Sequence, residues 1–316
     1  NTAIGKGALT TQNFTTATNA FNTAVGSFAM YANTTGINNT AVGRSALTAN
    51  TTGAGNVAVG YNSLDANTTA NYNTAVGYNT LSANVTGASN AAFGYNALAV
   101  NTASNNTAIG WASLEANTSG QYNVAVGKGS ASSNTTGEKN VAMGTDALNA
   151  NTTGDNNVAI GNSALDANTA GQNNAASNNV GIGYQALDAN TTGGSNVAVG
   201  RDSLGSNTTA DANTALGYGS LRDNTTGSAN VGLGYLALEE NTTGGNNTGV
   251  GFQALEENTT GIQNTALGSL ALDSNTTGDL NVAIGYHALG SNVSTGANTA
   301  VGGYALYVNE AANNTA

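Results

Sequence analysis

The chain has 316 residues, of which 43 are Gly and none is Pro or Cys, and its net charge is −11. With 7% charged and 39% hydrophobic residues, it matches neither an average globular protein nor a highly charged disordered chain. The composition excludes disulfides and thiolate metal sites, provides too few basic residues for a nucleic-acid surface, and contains no apolar stretch of the roughly 18 residues needed to insert into a membrane.

One phrase, Asn-(Thr/Val)-Ala-(Val/Ile)-Gly, recurs eighteen times with small variations. The copies begin at Asn1, Asn22, Asn39, Asn56, Asn73, Asn90, Asn106, Asn123, Asn140, Asn157, Asn179, Asn196, Asn213, Asn230, Asn247, Asn264, Asn281 and Asn298. Fourteen of the seventeen intervals are 17 residues long; the others are 21 after Asn1, 16 after Asn90 and 22 after Asn157. Such a period is typical of a solenoid in which each copy forms one rung. The sequence therefore predicts an all-β parallel solenoid of about 18 rungs.

The array is expected to be one continuous body over residues 1–316, cut from a longer chain. The longest interval predicts a loop near 172–178. Within a rung we number positions from 1, at its first Asn, to 17. Positions 2 and 4 carry branched side chains on one side of a short strand, and positions 3 and 5 carry almost none on the other. Because neither side is polar, we expect the strand to pack on another chain.

The remaining positions lead to Leu at position 9 and then to the turn Asn-Thr-Thr-Gly at positions 12–15, as in Asn50–Gly53. We expect two short strands and two corners per rung, with Asn and Gly in the left-handed backbone of the corners. The interior is predicted to hold one Leu, one Val or Ile and some Ala. Asn at positions 1 and 12 should bond to the same Asn of neighbouring rungs. Representative ladder residues are Asn39, Gly43, Leu47, Asn50, Asn56, Gly60, Leu64 and Asn67.

Two outward features are candidate surface-binding positions. Position 6 is aromatic in nine copies, and its rings either shield a corner or seam or form a platform for carbohydrate stacking. Thr-Thr at positions 13 and 14 provides a file that an ice-binding solenoid would use, although only one Thr of each pair can face one side. The candidate residues are Thr34, Thr51, Thr68, Thr152, Thr225, Tyr61, Tyr78 and Tyr95.

The recurrent Asn-x-Ala-(Val/Ile)-Gly-x-x-(Ala/Ser), as in NTAVGRSA from Asn39 and NVAIGYHA from Asn281, resembles the head repeats of YadA-like trimeric autotransporter adhesins. The resemblance covers nearly the whole chain, although the family's common unit is shorter and lacks the Asn-Thr-Thr-Gly turn. It implies a left-handed parallel β-roll, a homotrimer, and an extracellular location at the cell surface. The array also resembles parts of secreted bacterial surface proteins and of phage tail fibres, so a virion surface stays open.

Catalytic constellations are absent from the sequence pattern. His287 occupies position 7, where other copies carry Asn, Ser or Gln, which indicates a variable exposed position. Carboxylates concentrate at positions 10 and 11 and form either a solvated acidic stripe or a weak calcium site. These residues are Asp65, Glu115, Asp166, Asp188, Glu239, Glu240, Glu256, Glu257 and Asp273. The six basic residues look dispersed, and we expect no enzyme activity, cofactor or metal.

The sequence thus predicts a segment of a structural and adhesive extracellular fibre, a trimeric stalk or head that displays a repetitive binding surface. Its partner would be a host or neighbouring-cell surface, either glycan or matrix protein. Nucleic acid is not expected as a partner, since phosphate binding needs clustered Lys and Arg. The alternatives are an ice-binding solenoid that uses the Thr-Thr file and a phage tail-fibre shaft.

Overall fold

The computed structural model describes residues 1–13, 19–169 and 176–316. Its strands are β1 (Thr2–Ile4), β2 (Thr23–Val25), β3 (Thr40–Val42), β4 (Val57–Val59), β5 (Thr74–Val76), β6 (Ala91–Phe93), β7 (Thr107–Ile109), β8 (Val124–Val126), β9 (Val141–Met143), β10 (Val158–Ile160), β11 (Val180–Ile182), β12 (Val197–Val199), β13 (Thr214–Leu216), β14 (Val231–Leu233), β15 (Thr248–Val250), β16 (Thr265–Leu267), β17 (Val282–Ile284) and β18 (Thr299–Val301). No helix occurs within those residues. The chain divides into two compact units, Asn1–Asp155 (unit 1) and Asn156–Ala316 (unit 2).

Within each unit, every strand pairs in parallel with the next one along the chain, and equivalent residues lie opposite each other. In unit 1, Ala41 of β3 is opposite Ala24 of β2 and Ala58 of β4. In unit 2, Ala198 of β12 is opposite Gly181 of β11 and Ala215 of β13. The predicted all-β parallel solenoid with a 17-residue repeat is therefore confirmed. That residues 1–316 form one continuous array stays a prediction, and most of the loop expected near 172–178 lies outside the described residues.

Each rung contains one strand, so the prediction of two strands per rung is wrong. In the described parts of the chain, positions 2–4 form the strand and the rest of the rung runs through bends and turns. The turn segment is nevertheless bonded to the next rung: the N–H of Leu47 donates to the carbonyl of Ser63 (3.0 Å), and the N–H of Thr51 to that of Thr68 (2.8 Å). These bonds satisfy backbone groups that a second strand would otherwise have paired.

The interior of a rung is filled by small residues and one Leu. Ala41 at position 3, Ala46 at position 8 and Leu47 at position 9 are fully buried. The Val or Ile of position 4, expected in the interior, points outward instead, and Ile109 is 41% exposed. Strand alternation causes this difference, because an inward Ala at position 3 forces positions 2 and 4 to face out.

The left-handed backbone lies at positions 5, 7, 9 and 17 rather than in the Asn-Thr-Thr-Gly turn. In one rung, φ is +137° at Gly43, +58° at Ser45 and +53° at Leu47. A Leu in this region costs about 1–2 kcal/mol. Burying its side chain stabilises the rung by about 1.5–3 kcal/mol, which offsets that cost. At Gly43 an added Cβ would collide with the carbonyl group of Gly60 in the next rung, so this corner requires Gly.

Candidate functional site

The Asn side chains of position 12 form a buried ladder along each unit. Asn50 Nδ2 donates to Asn33 Oδ1 (2.7 Å) and to the carbonyl of Gly53 (3.0 Å), and Asn50 Oδ1 accepts from Asn67 Nδ2 (2.9 Å). Both amide hydrogens and the amide oxygen are therefore used inside the protein. This column stabilises the stack, although Asn84 Oδ1 is buried without a hydrogen-bond partner.

The Asn side chains of position 1 make a different set of bonds. Asn39 Oδ1 accepts the backbone N–H of Asn56 in the next rung (2.9 Å), while Asn39 Nδ2 donates to the carbonyl of Gly53 in its own rung (2.8 Å). At Asn39 the expected contact between equivalent side chains is thus a side chain-to-backbone bond. The expected side-chain contact is made by Asn90 to Asn73 (3.1 Å) and by Asn298 to Asn281 (3.0 Å). Because Gly53 also accepts from Asn50 (3.0 Å), the two Asn residues of a rung converge on one carbonyl and close the rung.

The remaining predicted ladder residues belong to the same framework. Leu47 and Leu64 are fully buried at position 9, and Gly43 and Gly60 form the corner after the strand.

The threonine candidates all occupy position 13, and the hydroxyl groups of four of them donate to the backbone of the next rung. The Oγ1–H of Thr34 donates to the carbonyl of Thr51 (2.9 Å), that of Thr51 to Thr68 (3.0 Å), and that of Thr225 to Thr242 (3.0 Å). The longest bond of this series joins Thr68 to Val85 (3.5 Å), and the carbonyl of Thr152 accepts from Thr135 (2.9 Å). The hydroxyl protons of this column therefore serve rung-to-rung bonding.

Position 6 of unit 1 brings four aromatic rings into one stack. The ring centroids of Tyr61 and Tyr78 are 5.2 Å apart, those of Tyr78 and Tyr95 are 5.3 Å apart, and those of Tyr95 and Trp111 are 6.4 Å apart. The interplanar angles are between 7° and 13°, so each ring covers the face of its neighbour. The rings are 37–54% exposed, and with their faces stacked they offer mainly their edges and hydroxyl groups to solvent.

A cation closes each end of this stack. The guanidinium carbon of Arg44 lies 5.5 Å from the centroid of Tyr61, and the Nζ of Lys128 lies 5.7 Å from the ring of Trp111. Both distances are typical of cation–π contacts. We call this column the unit 1 file; its members are Arg44, Tyr61, Tyr78, Tyr95, Trp111 and Lys128.

Unit 2 has a similar column with a different order. Arg201 lies between two rings, 5.5 Å from Tyr184 and 5.8 Å from Tyr218, and its Nε pairs with Asp202 Oδ2 at 3.0 Å. The stack continues from Tyr218 to Tyr235 (5.3 Å) and from Tyr235 to Phe252 (5.4 Å). We call this column the unit 2 file; its members are Tyr184, Arg201, Tyr218, Tyr235 and Phe252.

The charges are distributed unequally between the units. Unit 1 contains four basic and five acidic residues, whereas unit 2 contains two basic and twelve acidic residues. The net charges are therefore −1 and −10. Four of the six basic residues occupy position 6, namely Lys6, Arg44, Lys128 and Arg201, and no copy has Asp or Glu there. They look dispersed in chain order, but reading the charges by rung position shows that they share one column.

The acidic residues of position 10 lie in a partly buried column. Burial raises the pKa values of Asp65, Asp188 and Asp273. Burial also raises the pKa of Glu239, although its ion pair with Arg222 works in the opposite direction. Among the residues that the structure describes, no group of three or more His, Cys, Asp or Glu side chains could hold a metal ion.

His287 is half-buried, in contrast to the exposed position expected from the sequence. Its ring lies 5.4 Å from the ring of Tyr304 and 5.6 Å from that of Tyr307, and it meets Tyr286 edge-on at 4.5 Å. An aromatic cluster therefore surrounds it in the last rungs of unit 2.

No family model matches the chain, and no curated protein matches it. Over the described ranges, no helix is long and apolar enough to cross a membrane.

Proposed function

We propose that the chain is a segment of a structural, adhesive extracellular fibre that assembles as a homotrimer and has no catalytic role. The observation that carries this proposal is the apolar outer face of the strands. Position 4 carries Val, Ile, Leu, Met or Phe in every copy. Because positions 2 and 4 face outward, these side chains form a column along each unit that its own chain leaves uncovered.

The position 4 column is unlike an ordinary solvated surface. Leu216 and Leu267 are 50% and 47% exposed, and Phe93 and Met143 are also exposed in unit 1. Contiguous exposed apolar side chains in a soluble protein mark a contact surface. Three copies related by one axis would bury these columns against each other, consistent with the YadA-like arrangement and its left-handed β-roll. The repeated outward positions would then display a surface suited to many weak contacts with a cell surface.

The oligomeric state of the full chain tests this proposal. We expect sedimentation equilibrium to give a trimer, and we expect Phe93→Glu/Ile109→Glu to shift it towards folded monomers, because each carboxylate would be desolvated in the interface. Tyr122→Glu/Tyr72→Glu is a matched control, since these exposed side chains lie at position 17 and should leave the trimer intact. A wild-type chain that stays monomeric at high concentration would contradict the proposal.

Exposed threonines at position 14 give the ice-binding alternative its support. Thr52 and Thr69 are exposed and form a file beside the backbone-bonded column of position 13. Thermal hysteresis of the purified chain measures this activity directly. If a concentrated solution shows none, the ice-binding alternative is removed, whereas a concentration-dependent effect lost in Thr52→Leu/Thr69→Leu would replace the adhesive proposal.

A further inference from the structure

We propose that the unit 1 file binds an extended anionic polysaccharide, of the class that carries one carboxylate on each sugar of a β-1,4-linked chain. The inference rests on the proposed adhesive function, to which it adds a ligand class and a site. The polymer would lie along the file, parallel to the stacking direction of the rungs.

The repeat of the file suits a linear polymer. Neighbouring tyrosine rings of the file are 5.2 and 5.3 Å apart, and the solenoid repeats at about 4.8 Å per rung. An extended β-1,4-linked chain advances by a comparable distance with each sugar. Because neighbouring sugars of such a chain are turned by about half a revolution, every second sugar can meet the file in the same way, and small contributions from each contact add up along the chain.

We expect the outward side of the file to attract anions. An aromatic ring carries negative potential on its faces and positive potential at its edge. In this stack the faces are covered by neighbouring rings or by Arg44 and Lys128, so solvent meets the edges. Tyr61, Tyr78 and Tyr95 are exposed, and their phenol hydroxyl groups can donate hydrogen bonds to carboxylates. Edge potential, hydroxyl donors and end cations all favour an anion.

The charges around the file agree with this polarity. Neither Arg44 nor Lys128 forms an ion pair with any residue that the structure describes. Unit 1 has a net charge of −1, so its field opposes an approaching polyanion only weakly. In unit 2, the net charge is −10 and Asp202 neutralises Arg201, so the unit 2 file lacks the free cations of the unit 1 file.

The same geometry disfavours two other ligands. Single-stranded nucleic acid binds to aromatic columns by stacking its bases on ring faces, and those faces are covered here. A neutral glycan that stacks its sugar rings needs the same faces, so the carbohydrate platform considered from sequence alone is replaced by recognition at the ring edges.

The test measures binding of the full chain to two soluble polymers with the same backbone. C6-oxidised cellulose is a β-1,4-linked polyglucuronate, and hydroxyethyl cellulose is its neutral counterpart. By isothermal titration calorimetry we expect the polyglucuronate to bind, with an affinity that falls as salt is raised, and the neutral polymer not to bind. Arg44→Gln/Lys128→Gln should weaken binding roughly tenfold. Tyr78→Phe, which keeps the stack and removes one hydroxyl, should weaken it roughly threefold.

Lys128→Gln and Lys139→Gln provide a matched pair, because both remove one exposed charge from unit 1 and only Lys128 belongs to the file. Equal losses in the two variants would show that overall charge, not the file, attracts the polymer and would overturn the inference. So would equal binding of the neutral polymer, or no binding by the wild-type chain. A trimer that binds neither polymer would overturn the inference and leave the proposed fibre intact. A monomer that binds polyglucuronate would overturn the proposed trimeric fibre and leave the binding site intact.

Discussion

Units 1 and 2 have the same backbone pattern and the same types of interior residue, and they differ in the charges at their outward positions. The closest comparison is between the two files. The unit 1 file has a free cation at each end, whereas the unit 2 file has its single Arg inside the stack and paired with Asp202. The comparison teaches that the repeat leaves its outward positions free to diverge, because the framework depends on residues that face inward or turn the chain.

If the framework is the same in both units, substitutions within it should have equal effects. The largest is expected for the corner glycines: Gly94→Ala in unit 1 and Gly234→Ala in unit 2 should each destabilise the protein by at least about 3 kcal/mol. At both sites φ is far positive (+135° and +142°), and an added Cβ would strike the carbonyl of the next rung. Urea unfolding measures the loss, and a tolerated Ala at either site would break the comparison.

The position 12 ladders should respond next most strongly. Asn117 and Asn241 make bonds of the same lengths, 2.7 Å to the preceding Asn and 3.0 Å to a glycine carbonyl. Asn117→Ala and Asn241→Ala should each cost about 2 kcal/mol, because buried polar partners are left unpaired. The same urea series provides the measurement. A clearly unequal pair would show that the ladders are not equivalent, and Thr52→Ala, at an exposed site, is a control expected to change little.

The smallest expected effect distinguishes the units instead. Burial raises the pKa values of Asp188, Glu239 and Asp273 in unit 2 and of Asp65 in unit 1. A carboxyl group whose pKa is higher in the folded state binds its proton more tightly there, so its penalty is full at neutral pH and is relieved as pH falls through that pKa. From pH 7 to about pH 4, unit 2 should therefore gain more stability than unit 1.

Hydrogen exchange followed by mass spectrometry can report the two units separately in the intact chain, after correction for the intrinsic exchange rate. Asp188→Asn should reproduce part of the gain of unit 2 at pH 7 and leave unit 1 unchanged. Equal gains in both units, or a loss in unit 2 on acidification, would contradict the assignment of the penalty to its buried carboxyl groups.

The solenoid could be predicted because its constraints are visible as identities at fixed spacing. Gly recurs at position 5 because a Cβ there would collide with the next rung, as at Gly43. Asn recurs at positions 1 and 12 because its amide bonds to the neighbouring rung, as at Asn39 and Asn50. The left-handed conformation of Leu47 was not foreseeable from propensity, since Leu ordinarily avoids this region. This conformation is explained by tertiary packing, because it directs the large Leu side chain into the interior of the rung.

The candidate site was predictable in part. Its tyrosines were visible as recurrent aromatic residues at position 6, but the covered ring faces depend on stacking geometry that the sequence does not contain. Arg44 and Lys128 occupy the same position in rungs next to one with an aromatic ring, and their role follows only when those rungs are stacked. The handedness of the roll and the trimer stay predictions.

The position 12 ladder also has a direction. Where amides of this column bond between rungs, each donates to the Asn of the preceding rung, as Asn50 does to Asn33 and Asn241 to Asn224, so these amide dipoles point the same way. Its two ends are chemically unlike, because the first amide offers a donor and the last offers an acceptor. At the last amide, Asn309 Oδ1 accepts from Asn314 Nδ2. A shortened version would thus need an acceptor-bearing cap at its start and a donor-bearing cap at its end.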